Sequence, residues 1–408
     1  MTLIECFTNS HVDNVAASLR LQPERMILVG DSQEMENPAR RYRKLLEQRG
    51  LSTEVVLCGV QKKDVGEICG VLTGLLKKDD SFVIDLTGGD ECVIMAVGGA
   101  LAMLDEKKRR QVRVERYDYD AGTVVDCLAD NRPVSCQTVN LTVTELIELH
   151  GGSLHPDSWQ PPQNCTSRDI ACLWQVVSEK PKAWNRELML LNRFESTSEA
   201  GSGTRIKVPL ENRWGTSDFY EQENTVRQLL ERLDRRGVIE DRSSRDELDY
   251  TYASALLRYC TRKAGNALEV KTLLEGRGVT EKGMPFFRDC RMSVSIDWDG
   301  VPHHIGEKIP DTRNEIDVVL MHGIVPLFIS CKNGNIEEEE LYKLSTVAER
   351  FGGPHAKKML IATELDRKSV TADRAFVQRA RDMDIYLVKD AGNMSGEEWQ
   401  KVFKDAVR

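Results

Sequence analysis

Apolar positions in the first 150 residues fall into short runs separated by longer stretches of helical spacing. The runs at 3–7, 26–29, 54–58 and 81–86 are aliphatic and β-branched, and read as strands. The stretches 38–49, 65–76 and 91–104 carry helical periodicity, and Gly50 closes the first of them. This alternation predicts a parallel sheet with helices on both faces, a Rossmann-like arrangement. Two short strands over 116–126 follow, joined by a turn at Asp120-Ala121-Gly122. A helix over 144–149 then leads to Gly151-Gly152, so the first domain is expected to span 1–152.

The pattern changes beyond that point. Residues 153–168 contain His155-Pro156 and Pro161-Pro162 and read as a linker. Residues 196–207 are rich in Ser, Thr, Gly and charge, and predict a loop or a small hairpin. Val226, Leu229, Leu230 and Leu233 form the apolar stripe of a helix over 226–236, with Gly237 and a short strand after it. A linker and a small winged-helix-like adaptor are therefore expected over 153–255. Arg235, Arg236, Arg242 and Arg245 are interleaved with acids, which favours a packing module over a DNA-reading helix.

A second α/β domain is expected over 256–408. A hairpin is predicted from 316–320 and 327–332, turning near His322-Gly323, with Pro326 at the start of its second strand. A helix from about 336 to 351, a strand at 359–362, a helix at 372–381, a strand at 385–388 and a helix at 395–406 complete it.

Composition narrows the class. A chain of 408 residues exceeds one ordinary core, and 40% hydrophobic with 30% charged residues is globular. The net charge of -9 argues against a general nucleic-acid coat but leaves room for a local basic groove. No window reaches the length of a membrane span, and no secretory leader is visible. Eleven scattered cysteines without a Cys-x-x-Cys pair read as reduced thiols in the cytoplasm.

Ligands of parallel sheets bind beyond the C-terminal strand ends. Two loops there carry suitable groups: Thr8-Asn9-Ser10-His11 after the first strand and Thr87-Gly88-Gly89-Asp90 after the fourth. Hydroxyls and amides at a helix start hold phosphate or ribose oxygens, and glycine lets the backbone come close. Asp31, after the second strand, is a further candidate for a ribose or base contact. Taken singly, each loop is also an ordinary turn or helix cap. Neither Gly-x-Gly-x-x-Gly after the first strand nor Gly-x-x-x-x-Gly-Lys-Ser/Thr occurs, so a common dinucleotide or ATP site is not supported.

The C-terminal hairpin carries a second chemistry. Pairing of its strands brings Asp317 near Ser330, and Ser330 and Lys332 share one face. An aspartate, a lysine and an upstream Glu269 suit phosphodiester hydrolysis with Mg²⁺ or Mn²⁺, and the Cys331 carbonyl could add an oxygen. Glu340 and Lys343, one helical turn apart beside this hairpin, read as a surface pair.

These motifs resemble a known family over nearly the whole chain. Thr8-Asn9-Ser10, Asp85-Leu86-Thr87-Gly88-Gly89, Gly265-Asn266-Ala267-Leu268-Glu269, Arg313-Asn314-Glu315-Ile316-Asp317 and Phe328-Ile329-Ser330-Cys331-Lys332 carry the likeness, with Leu341-Tyr342-Lys343-Leu344 and Phe351-Gly352-Gly353. The chain is similar to CRISPR-associated Rossmann-fold (CARF) effectors with a restriction-endonuclease-like PD-(D/E)XK domain. The resemblance implies a homodimeric sensor of cyclic oligoadenylate, chiefly cyclic tetra-adenylate, in type III CRISPR defence. It implies allosterically activated, Mn²⁺- or Mg²⁺-dependent endonuclease cleavage of RNA or DNA, single-stranded or nicked duplex. By motif, Asp317 matches the metal-binding aspartate, Lys332 the catalytic lysine and Glu269 the helix glutamate. Ser330 departs from the family's glutamate and supplies no charge. Three readings stay open: an impaired nuclease, a ligand moved to Glu315, Glu339 or Glu340, or a domain that only binds nucleic acid. In that last case the chain would be a cyclic-oligoadenylate-responsive DNA-binding regulator. A sensor that degrades its own ligand is a further alternative, although no general base is evident near Thr8, Asn9 and Ser10.

Overall fold

A computed structural model describes residues 1–61, 64–78, 80–135, 138–155, 159–196, 203–210, 217–301, 313–366 and 370–408. The chain is α/β throughout, with a parallel-rich sheet at its N-terminal end and a mixed sheet at its C-terminal end.

The first sheet comprises β1 (Thr2–Cys6), β2 (Arg25–Gly30), β3 (Glu54–Gly59), β4 (Phe82–Asp85), β5 (Val112–Asp118), β6 (Thr123–Asp126) and β7 (Arg132–Pro133), in the order β3-β2-β1-β4-β5-β6-β7. The first five run parallel, and β6 and β7 return antiparallel. Period-two alternation splits β2 between two cores. Met26 and Leu28 pack with Val15, Met35 and Tyr42 on one face, while Ile27 and Val29 pack with Ile68, Leu72, Val93 and Val97 on the other. The chain leaves β1 toward β2 on one side and β4 on the other. That reversal opens a crevice beyond the C-terminal ends of β1 and β4.

The second helix begins at Ser32 rather than at residue 38. Pro38 lies inside it, because the Asp31 carboxylate already caps the end by accepting the amides of Gln33 (2.9 Å) and Glu34 (3.4 Å). The helix Val143–Leu149 starts with a reciprocal cap between Thr142 and Glu145.

The stretch 153–168 expected as a linker contains β8 (Ser153–Leu154) and runs into a short 3₁₀ turn at Ser167–Ile170 before the helix Ala171–Glu179, and residues 156–158 lie outside the described residues. Next come the helix Pro181–Glu195, β9 (Arg205–Pro209), the helix Ser217–Arg235, β10 (Ile239–Asp241) and β11 (Glu247–Tyr252). The three strands form an antiparallel sheet in the order β10-β11-β9. The expected loop over 196–207 thus ends in a strand that pairs with a distant partner, Val208 opposite Leu248. Residues 197–202 of that stretch lie outside the described residues. Val226, Leu229, Leu230 and Leu233 are fully buried. Arg235 pairs with Glu231, Arg236 with Glu179 and Arg242 with Glu240, so these cations are held by the protein's own acids.

A small hairpin, β12 (Thr280–Glu281) and β13 (Met284–Pro285), precedes the last sheet. That sheet contains β14 (Asp289–Asp297), β15 (Arg313–His322), β16 (Val325–Asn335), β17 (Lys357–Asp366) and β18 (Ile385–Val388), in the order β18-β17-β16-β15-β14-β8. The two-residue β8 is therefore an edge strand of this sheet, paired with β14. The β15–β16 hairpin is antiparallel, and β16, β17 and β18 run parallel. The helices Asn266–Gly278 and Gly396–Val407 pack on one another against it. One apolar core runs continuously from the Val15–Tyr42 face of the first domain through the adaptor into this sheet.

Every described cysteine is a free thiol, five buried and five half-buried, and Cys136 lies outside the described residues. No helix among the described residues is long and apolar enough to cross a membrane.

Candidate functional site: a charged cleft and a crevice between two loops

The ladder between β15 and β16 runs from His322 opposite Val325 to Val318 opposite Ile329. One step further, the Asp317 side chain replaces a ladder bond: its Oδ2 accepts the Cys331 amide at 2.6 Å. The Ser330 hydroxyl donates to the same oxygen at 3.3 Å. Lys332 follows two residues on, and its Nζ lies 2.8 Å from Glu340 Oε2 at the start of the helix Glu339–Gly352. Asn314, Glu315, Asp317, Ser330, Lys332 and Glu340 line a cleft of about 260 Å³.

Glu269 belongs to the first turn of the helix Asn266–Gly278. It folds back beside Gly265, where an added Cβ would stand 2.9 Å from its Oε1. Burial, then repulsion from Asp317 and Glu315, pushes its carboxyl up to about 8. Burial also raises Asp317, against the lowering effects of the Cys331 amide and Lys332. Burial pulls the Lys332 ammonium down, yet its hydrogen bond to Glu340 and the Asp317 charge outweigh burial and hold it above the ordinary lysine range.

Carboxyl groups whose proton affinity is raised by burial and by neighbouring acids are also what a hard divalent cation would bind. The donor chemistry of Asp317 and Glu269 fits such an ion. Among the described residues, however, no group of three or more His, Cys, Asp and Glu side chains is gathered to hold one. Ser330 gives its proton to Asp317 and adds no negative charge. The Cys331 thiol is buried against Thr272 Oγ1 at 3.5 Å, and burial pushes its pKa well up. Of Cys331, only the backbone carbonyl has donor chemistry suited to such an ion.

At the other end of the chain, the Asn14 side chain pins the loop after β1. Its oxygen accepts the Thr8 amide at 2.9 Å and its nitrogen donates to the Thr8 carbonyl at 2.6 Å. The loop after β4 touches it, since a Cβ on Gly88 would stand 2.6 Å from Thr8 Cγ2 and 2.9 Å from the Cys6 carbonyl. Only glycine permits that approach. Gly89 adopts a φ of 94°, which favours glycine too. Asn9 is exposed beside them.

Other expected ligand contacts have internal partners. The Thr87 hydroxyl donates to Asp85 and accepts the Tyr117 amide at 2.8 Å. Asp90 caps its helix by accepting the Val93 amide at 3.0 Å, as Asp31 caps the helix Ser32–Gln48. His11 is buried and bonded to the Tyr42 hydroxyl at 2.8 Å. Burial, with His150 and Arg41 nearby, lowers it to about 3, so it carries no positive charge near neutral pH.

Ser10 is buried and lies against the C-terminal domain. A Cβ on Gly353 would stand 3.5 Å from Ser10 Oγ and 3.6 Å from His150 Nε2. Two residues on, His355 stacks on Tyr119, with centroids 3.4 Å apart, and its Nε2 lies 3.7 Å from Asp13 Oδ2. The Tyr119 hydroxyl donates to Asp13. The sequence reading missed this three-residue contact. Nothing in local spacing joins the start of the first helix, the β5–β6 turn and a loop in the other domain.

Residues 259–399 match the family described as Card1-like, endonuclease domain. No curated protein matches the chain by sequence. The fold is similar to protein VC1899 from Vibrio cholerae, with a TM-score of 0.72 at 15% identity, covering 100% of this chain and 97% of that one. It is also similar to Can2 from Sulfobacillus thermosulfidooxidans, solved in complex with cyclic tetra-adenylate, with a TM-score of 0.65 at 15% identity, covering 100% and 99%.

The raised Glu269 carboxyl gives a stability prediction. Its folded pKa of about 8 exceeds the ordinary 4.5, so its contribution to stability is full below about 4.5 and is lost as pH rises through 8. In EDTA, Glu269→Gln should remove that loss. The Tm of the variant should gain on the wild type steadily between pH 5 and 9, and a gap that stays constant with pH would contradict the assignment.

Proposed function

We propose that this chain, whose residues 259–399 match the Card1-like endonuclease domain family, is a type III CRISPR ancillary effector working as a homodimer. Cyclic oligoadenylate, cyclic tetra-adenylate first among the rings, binds in the crevice beyond β1 and β4. Binding activates cleavage of RNA or DNA phosphodiesters in the C-terminal cleft, where Asp317 and Lys332 follow the PD-(D/E)XK pattern and Ser330 departs from it. The observation that carries this reading is the convergence of Asp317 and Lys332 on one cleft where β15 and β16 part. The ligand in Can2, a protein of the same fold, supports the choice of activator.

In this reading Asp317, Glu269 and the Cys331 carbonyl hold Mn²⁺ or Mg²⁺. The bound ion lowers the pKa of a water and offsets charge on the phosphate. The Lys332 ammonium faces that phosphate and stabilises the charge that builds on it during attack. Asp317 also fixes the distance between the two strands, because it holds the Cys331 amide.

In the crevice, the amides of Gly88 and Gly89 meet phosphate oxygens, and exposed Asn9 contacts ribose or base. Ligand-induced movement of the Thr8–Ser10 loop reaches the second domain through Gly353 and the Asp13–Tyr119–His355 contact. The helix Glu339–Gly352 then carries it about 21 Å to the cleft.

The regulator reading draws support from neutral Ser330 alone. It needs a cationic DNA surface, and the adaptor's Arg235, Arg236 and Arg242 are already paired.

Two variants test the proposal with labelled single-stranded RNA, single-stranded DNA and plasmid in Mn²⁺. Lys332→Ala should lower ligand-stimulated cleavage by roughly 10²-fold or more while leaving cyclic tetra-adenylate binding intact. Unchanged cleavage would remove Lys332 from the chemistry. His355→Ala should likewise bind the ring but lose about 5- to 150-fold of its stimulation. Full stimulation in this variant would show that the signal takes another path.

A further inference from the structure

Just where Lys332 stands, β16 loses regular support on both sides. Its pairing with β15 ends at Ile329 opposite Val318. Its pairing with β17 slips after Lys332 opposite Ala362, so that Asn333 faces both Thr363 and Glu364 before Gly334 meets Leu365. Such an irregularity disrupts the ladder locally, and Gly334 takes a φ of 94°. Contacts outside the ladder hold the strand here, and Asn333 gathers three of them. Its Nδ2 donates to the Ala264 carbonyl at 2.9 Å, its Oδ1 accepts the Thr363 hydroxyl, and its own carbonyl accepts Asn185 Nδ2 at 2.7 Å.

Each partner belongs to a different element. Ala264 lies two residues before the helix Asn266–Gly278, whose first turn carries Glu269. Thr363 is fully buried on β17. Asn185 comes from the adaptor helix Pro181–Glu195, which grips the same segment again: Trp184 Nε1 donates to the Ala264 carbonyl at 3.2 Å and Asn192 Nδ2 to the Arg262 carbonyl at 3.1 Å. By period-two alternation Asn333 shares the face of Cys331, whose thiol lies against Thr272 of the Glu269 helix, and leaves the other face to Ser330 and Lys332.

We infer that Asn333 is a positioning residue of the cleft: its side chain ties the start of the Glu269 helix to the strand that carries Lys332, and the adaptor closes the tie through Asn185. The inference rests on the nuclease reading and deepens it. Asparagine suits the place because it offers a donor to Ala264 and an acceptor to Thr363 at once. Aspartate has the same shape but would turn an acceptor toward the Ala264 carbonyl. The adaptor thereby acquires a part in the chemistry without touching substrate, since Trp184 and Asn185 hold the two arms of the cleft in register.

The test compares the full-length wild type with Asn333→Asp, Thr363→Val and Thr363→Ser. Steady-state cleavage of labelled RNA and plasmid is measured with cyclic tetra-adenylate and Mn²⁺, well below each Tm, and hydrogen exchange is followed at the amides of 264–269. Asn333→Asp should lower kcat by roughly tenfold to 10²-fold while KM stays within about twofold, because a small misplacement of reacting groups costs rate rather than binding. Thr363→Val should lose kcat in the same direction, and Thr363→Ser, which keeps the hydroxyl, should retain most of it. In Asn333→Asp the amides of 264–269 should exchange faster while those of β1 do not change. An Asn333→Asp variant with the wild-type kcat, with a loss confined to KM or Tm, or with unaltered exchange at 264–269 would overturn the inference and leave the nuclease reading standing. A wild type that cleaves neither substrate with ring and Mn²⁺ present would instead sink the nuclease reading, and this inference with it.

Discussion

Where β15 and β16 separate, the half-buried Asp317 carboxylate takes over from the backbone. The Cys331 amide would face an empty ladder position beyond Val318 and Ile329, and the Asp317 oxygen at 2.6 Å satisfies it. A buried amide without a partner is costly, so this bond fixes how far the strands part and where the Asp317 side chain lies. Ser330, Lys332 and the opposite helix wall are then arranged around a cleft whose width the bond sets. The same low-dielectric setting lifts Glu269 to about 8, so near neutral pH it keeps its proton beside Asp317 and Glu315.

The two ends of the molecule are joined by packing rather than by a tether. One core extends from the β1–β2 face of the first domain into the C-terminal sheet, and the Gly353–His355 loop sits directly on Ser10, Asp13 and Tyr119. A change in the loop after β1 therefore meets a close-packed neighbour, and close-packed neighbours transmit displacement. One helix spans the distance from this contact to Glu340, so the Ser10–Gly353 contact and the Lys332 cleft lie at opposite ends of a single element.

Much of this was legible in the sequence where the signal was local. The apolar runs 316–320 and 327–332, with a turn near His322-Gly323 and Pro326 between them, predict the hairpin that brings Asp317 to Ser330, and the spacing of Ser330 and Lys332 puts them on one face. The alternating strands and helices likewise pointed to both loops of the crevice. What stayed hidden depended on distant partners. β9 gains its strand character from Leu248, β8 consists of two residues that pair only with β14, and Pro38 suggested a helix start that Asp31 had already supplied. Thr87 looked free for a ligand until the hydrogen bonds to Asp85 and Tyr117 were counted. Glu340 read as a surface partner of Lys343, whereas the fold also brings it to Lys332.

Ligand occupancy at one end of the molecule is held to open phosphodiester chemistry at the other. Single-turnover cleavage of labelled RNA and supercoiled plasmid by the wild-type chain measures this directly, with cyclic tetra-adenylate and Mn²⁺ added separately and together. Cleavage that needs both additions is the expected result. Cleavage at the same rate without the ring, or none with both present while the ring binds tightly, would contradict it.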